Sequence, residues 1–118
     1  MNKRKKGRTF ELIVEKKLIK LGWKTHLVKP KRRYEPSEDI YGVFDICAVR
    51  NGVHLYGQIK HECKWVKYEI EMLHDFKVTY LHPNDKVILF NYRKGSARIK
   101  KGWELLTDKY IPISWNEL

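Results

Sequence analysis

From Arg8 to Leu21, apolar side chains recur at Phe10, Ile13, Val14, Leu18 and Leu21, a spacing that lays one stripe along a helix. Gly22 stands where a helix-ending glycine belongs, and Trp23 to Val28 reads as a first strand. The pattern then lapses: Lys29 to Asp39 (KPKRRYEPSED) holds two prolines, a basic cluster and no apolar period, which predicts a loop. Val43 to Val49 (VFDICAV) is an apolar run broken by a single acid. Asn51-Gly52 after it is a strong hairpin signal, and Val53 to Lys60 (VHLYGQIK) is the returning strand. From about Trp65 to Tyr80 apolar residues alternate with charges, which predicts a helix over at least the first ten residues, and Pro83-Asn84-Asp85 closes the stretch. Val87 to Tyr92 (VILFNY) reads as a buried strand, Ala97 to Leu106 as another, and Ile111 to Trp115 as a tail that pairs with or covers an edge. The predicted order is αβββαβ with one or two further strands: a mixed sheet flanked by helices, in the α/β (α+β) class.

A chain of 118 residues suits one domain over 1–118, able to bury roughly two thirds of the surface its unfolded form exposes. Its 42% apolar and 13% aromatic content is too rich for a disordered chain. The charge changes the picture more. Lys and Arg number 25 against 14 acids, a net charge of +11, and such a surplus on a small surface attracts polyanions, nucleic acid first among them. A basic surface kept for solubility is the plainer alternative. No long apolar helix or basic amphipathic helix with a large aromatic face supports a membrane role. The two cysteines, Cys47 and Cys63, lack the paired spacing of a zinc site, even with His61 close by. The start shows no signal peptide, so a cytoplasmic or otherwise intracellular, reducing location is expected, including the host cell of a virus or phage.

The residue that asks most for an explanation is Asp45, a carboxylate between Phe44 and Ile46 in an apolar run, costly to bury unless a cation meets it. Across the Asn51-Gly52 hairpin come Gln58 and Lys60, which strand alternation puts on one face with Ile59 on the other. Oxygen donors of this kind suit a hard cation, and a lysine beside them suits the charge that develops when a phosphodiester is attacked. A buried Asp–Lys ion pair without catalytic meaning accounts for the same spacing.

These residues also carry a resemblance. KGRTFELIVEKKLIKLGWKT resembles the opening helix of the archaeal Holliday junction resolvases, and FDICAVRNGVHLYGQIK is similar to the Asp strand, tight turn and (D/E)xK strand of the PD-(D/E)xK nuclease superfamily. The likeness spans roughly residues 6 to 64 and extends to related phage and viral nucleases. It implies a restriction-endonuclease-like fold and a metal-dependent endodeoxyribonuclease using Mg²⁺ or Mn²⁺. It further implies a catalytic set of Glu11, Asp45, Gln58 and Lys60, with Glu11, Asp45 and Gln58 as metal ligands, and a homodimer acting on branched DNA. Glu15 competes with Glu11 one helical turn on. Gln58 departs from the usual Asp or Glu, which implies weaker metal binding. Glu62-Cys63-Lys64 repeats the E-x-K spacing, so Glu62 is a second candidate for the missing charge. Asp39, in DIYGVFD, either assists the metal site or caps the loop.

Three basic segments are expected to grip the nucleic-acid backbone: one with Lys5, Lys6 and Arg8, one with Lys31, Arg32 and Arg33, and one with Arg93, Lys94 and Arg98. No base-reading module is visible. Two other functions fit the same residues: a nuclease of single strands or ends, and a nucleic-acid-binding module whose catalysis is weakened by Gln58. The apolar strand VILFNY and the four tryptophans, Trp23, Trp65, Trp103 and Trp115, are compatible with a dimer interface or with core.

Overall fold

The computed structural model of the protein describes residues 3–28, 39–41, 43–61, 67–95, 97–98 and 101–118, with side chains from Arg8 onward. The first helix, α1 (Lys3–Lys20), starts earlier than the apolar stripe suggests, because its basic leader continues the same helix. Its end is a Schellman cap: Gly22 adopts φ 93°, Trp23 N–H reaches Leu18 O at 3.0 Å and Gly22 N–H reaches Ile19 O at 3.0 Å. Trp23 and Leu18 share the same core, the apolar contact that completes this motif.

The strands are β1 (Lys24–Leu27), β2 (Ile46–Arg50), β3 (Val53–His61), β4 (Lys86–Arg93), β5 (Gly102–Thr107) and β6 (Pro112–Ile113). They form one mixed sheet in chain order, antiparallel except for the parallel β3–β4 pair. A parallel pair needs a crossover connection, and α2 (Lys67–Tyr80) lies within it. Asn51 and Gly52 take φ 51° and 79°, positive at both central positions as a type I′ hairpin requires.

Strand alternation divides the interior in two. One face packs Ile46, Ala48, Leu55, Ile59, Ile88 and Phe90 against Val14 and Leu18 of α1; the other packs Tyr56, Val87, Leu89 and Leu106 against Leu73 of α2. The result is a mixed six-stranded sheet with a helix on each side, the α+β architecture expected. No described helix is long and apolar enough to cross a membrane.

Several boundaries differ from the sequence reading. The second helix begins at Lys67 within the described residues, and the fifth strand at Gly102, with Ala97 and Arg98 in a bend before it. VILFNY is central β4, flanked by strands on both edges and with both faces covered at its middle. Trp23 is core, while Trp103 and Trp115 pack partly buried against it. Trp65, Cys63, Glu62 and the segment 29–38 lie outside the described residues.

Candidate active site

Asp45 is not within a strand, as the apolar run suggests, but at a bend immediately before β2. Its backbone still follows β3, with Asp45 N–H donating to Gly57 O at 2.9 Å. Beyond that point side chains replace the ladder. Ile59 N–H donates to Asp45 Oδ2 at 2.8 Å, and the Gln58 amide donates through Nε2 to Val43 O at 2.9 Å. The register that pairs Ile46 with Gly57 brings Asp45 beside Gln58, and within β3 Gln58 and Lys60 share the face of Tyr56. The bend thus takes Asp45 out of the continuous strand while keeping it against β3.

Glu11 comes beside Asp45 from α1 through a residue, Val28, whose N–H and C=O are both engaged. Val28 N–H donates to Asp45 O at 3.0 Å, and Val28 O accepts from Arg8 Nη1 at 2.8 Å. The same Arg8 nitrogen lies 3.3 Å from Glu11 Oε2. Arg8 was expected on the nucleic acid. In the structure it fastens Glu11 to the sheet, a contact for which the three-residue spacing between them was the available signal. Glu15, the competing acid, accepts from the Thr25 hydroxyl at 3.3 Å and so belongs to the contact between α1 and β1.

The electrostatics of this cluster are unbalanced. Burial raises the Glu11 carboxyl above its ordinary range, the Asp45 charge raises it further, and Arg8 only partly offsets both. Burial likewise raises Asp45, against the Ile59 N–H bond that favours its ionised form; Asp39 adds to the rise and Lys60 opposes it. Asp39 acts on both acids, so the loop before β2 brings a third carboxylate near the site. Lys60 itself is exposed.

A cation is what such a site lacks chemically. Its donors are hard oxygens: two desolvated carboxylates and the amide of Gln58, whose NH₂ is occupied by Val43 O so that its carbonyl is the end left for a ligand. Among the described residues no three His, Cys, Asp or Glu side chains converge on one metal-sized point. Hard oxygen donors of this kind fit an ion such as Mg²⁺, which is commonly held by one or two carboxylates and keeps several waters.

The remaining expected contacts divide. Lys94 and Arg98 are exposed, and Arg93 is paired with Glu104 at 3.1 Å. Lys5 and Lys6 lie in the first turns of α1, but their side chains, like Lys31, Arg32 and Arg33, fall outside what is described.

The sequence matches no protein-family model and no curated protein. The fold does find a counterpart. It is similar to that of Archaeoglobus fulgidus Hjc, a Holliday junction resolvase from an archaeal hyperthermophile, with a TM-score of 0.58 and 18% identity over 87% of this chain and 78% of that one. The architecture is therefore similar in fold to that resolvase.

Proposed function

We propose that this chain is a metal-dependent endonuclease that hydrolyses phosphodiester bonds in DNA, with preference for branched structure. The observation that carries the reading is the bend at Asp45, which sets its carboxylate against the Gln58–Lys60 end of β3 and brings Glu11 beside it through Arg8 and Val28. The resolvase-like fold supports the substrate class, and the net charge of +11 supports a polyanionic partner.

Glu11, Asp45 and the Gln58 carbonyl would hold Mg²⁺ or Mn²⁺. When bound, the ion polarises the phosphoryl group and makes a water acidic enough to attack it. Asp45 is set for its share by the Ile59 N–H, which pins one carboxylate oxygen. Arg8 holds Glu11 against the sheet and so presents it at the mouth of the site. Lys60, exposed at that end of β3, supplies positive charge where negative charge grows on the attacked phosphate.

A homodimer is part of the proposal, and the aromatic surface on the α2 side of the sheet supports it. Tyr41, Tyr68, Met72, Val78 and Tyr80 are exposed there or beside it. Tyr41, Tyr56, Phe76 and Tyr80 line a cavity of about 800 Å³ running to the hairpin turn. An aromatic surface of this kind on a small soluble protein marks a contact with another macromolecule.

The test is cleavage of labelled four-way junction, duplex and single-stranded DNA with Mg²⁺ or Mn²⁺ by the wild type and by Asp45→Ala. Metal-dependent paired nicks at the junction, lost in the variant, are expected. Cutting that survives Asp45→Ala would overturn the site, and binding without metal-dependent cutting would favour a non-catalytic binding module.

A further inference from the structure

Beside Lys60 the sheet carries polar side chains where an apolar face would be expected. In the parallel β3–β4 pair Lys60 stands next to Asn91, and in the antiparallel β4–β5 pair Asn91 stands opposite Glu104. Cross-strand neighbours project to the same side, so Lys60, Asn91 and Glu104 form one row across three strands. Arg93 lies two residues beyond Asn91 on that face, opposite Gly102, where an added Cβ would meet nothing within 4 Å. Asn91 is fully buried, an unusual place for an amide in a central strand.

The arginine at the end of this row is held but not saturated. Its Nη2 donates to Glu104 Oε1 at 3.1 Å, while its buried Nε has no partner among the described residues. Each side chain of the pair is about a third exposed, 31% and 29%, so the guanidinium has an outer edge open to solvent. A guanidinium whose plane is set by a carboxylate and whose edge faces outward is shaped to receive a second planar or tetrahedral anion. Strand spacing and residue rise put the Cα atoms of Lys60 and Arg93 on the order of 8 Å apart. That is close to the separation of neighbouring phosphates along a nucleic-acid strand.

We propose that Arg93, oriented by Glu104 over the open position at Gly102, holds the backbone phosphate next to the one at which Lys60 acts. Glu104 is a positioning residue: it fixes the guanidinium and touches no substrate. The register to Lys60 rests on the nuclease reading. The competing account is a cross-strand ion pair that serves the sheet alone.

The two accounts part in a neutral-phosphate scan. Affinity is measured in EDTA for four-way junctions and single strands in which phosphates around the cut are replaced one at a time by methylphosphonates. The wild type should lose about tenfold at one phosphate neighbouring the cut, as a charge-assisted contact implies. Arg93→Ala should bind the unmodified DNA about tenfold more weakly and be indifferent to that one position while still sensing the others. Arg93→Lys, which keeps the charge, should recover only part of the loss. Glu104→Gln is the decisive variant. It removes a negative charge, so a merely electrostatic Glu104 would yield tighter binding throughout, whereas a positioning Glu104 yields a weakened response at the Arg93 phosphate alone. Uniform tightening, or an unchanged profile in a folded Arg93→Ala protein, would overturn the proposal and leave the catalytic reading intact. A wild type that binds none of these DNAs would overturn both.

Discussion

Gln58 illustrates how a single side chain can answer to two demands. Its amide donates to Val43 O, which a carboxylate cannot do, and so closes the chain that leaves the sheet at the Asp45 bend. A glutamate there would lose this bond and add negative charge beside Asp45 and Glu11. Gln58→Glu is therefore expected to lower the melting temperature in EDTA and to bind Mg²⁺ more tightly than the wild type, with millimolar Mg²⁺ restoring the stability; calorimetric melts with and without metal check both. The raised carboxyls predict a pH dependence of their own. With folded pKa values above the unfolded ones, Asp45 and Glu11 carry no penalty below the ordinary carboxylate range. Stability of the metal-free protein then falls as pH climbs through the raised values, and the loss persists at neutral pH. Asp45→Asn keeps an oxygen for the Ile59 N–H and removes the charge. It should melt higher than the wild type at pH 7 without metal while showing no cleavage.

At the scale of elements, the parts of the fold written in local pattern were legible from the sequence. The stripe of α1, its Gly22 cap, the Asn51-Gly52 turn and the buried β4 run each follow from a short-range rule, and each is found. The bend at Asp45 was not legible, because VFDICAV has no glycine or proline to announce it. The turn is held by the Gln58 side chain on Val43 O and by the Asp45 carboxylate on the Ile59 N–H, both on β3, a partner distant in sequence. The pairing of Arg8 with Val28 and the polar row beyond Lys60 were hidden for the same reason. The start of β5 was placed too early since alternation in ARIKK mimics a strand; Gly95, at φ 92°, makes a tight approach to Lys101 instead. Of the expected site residues, Glu11 and Asp45 interact and Asp45 lies against the Gln58–Lys60 end of β3, while the set as a site and the residues' roles belong to the proposal. Packing between elements gives a separate prediction. A Cβ on Gly57 would sit 2.7 Å from Phe90 Cε2 and 2.9 Å from Ile46 Cγ2. Gly57→Ala should cost roughly 1–3 kcal/mol in a denaturant titration, as overpacking does. It should also reduce activity, since Gly57 O holds Asp45.

For the molecule as a whole, the two faces of the sheet differ in what they leave uncovered. The α1 side closes on itself, with Phe10 stacked on Tyr92 at 4.7 Å and set edge-on to Trp103 at 5.9 Å. The α2 side keeps aromatic surface in solvent, with Tyr80 72% and Tyr41 66% exposed. On the proposed dimer this surface is the contact. Tyr80→Glu should shift sedimentation toward a monomer without lowering the melting temperature of the chain itself, and should convert paired nicks into independent single ones. Unchanged sedimentation would place the dimer contact elsewhere.

The double hold on Val28 has a consequence for motion. A strand of four residues at a sheet edge, as β1 is, ordinarily frays first and exchanges its amide protons fastest. Here the amide just past its end is the splice between helix and bend, so every fraying event that releases Val28 also uncouples Glu11 from Asp45. On the proposed metal site, opening of this edge and release of the ion are expected to be one event seen by two methods. Saturating Mg²⁺ should slow hydrogen exchange at Val28 more than at β6 on the opposite edge, by the factor with which the ion prefers the closed edge.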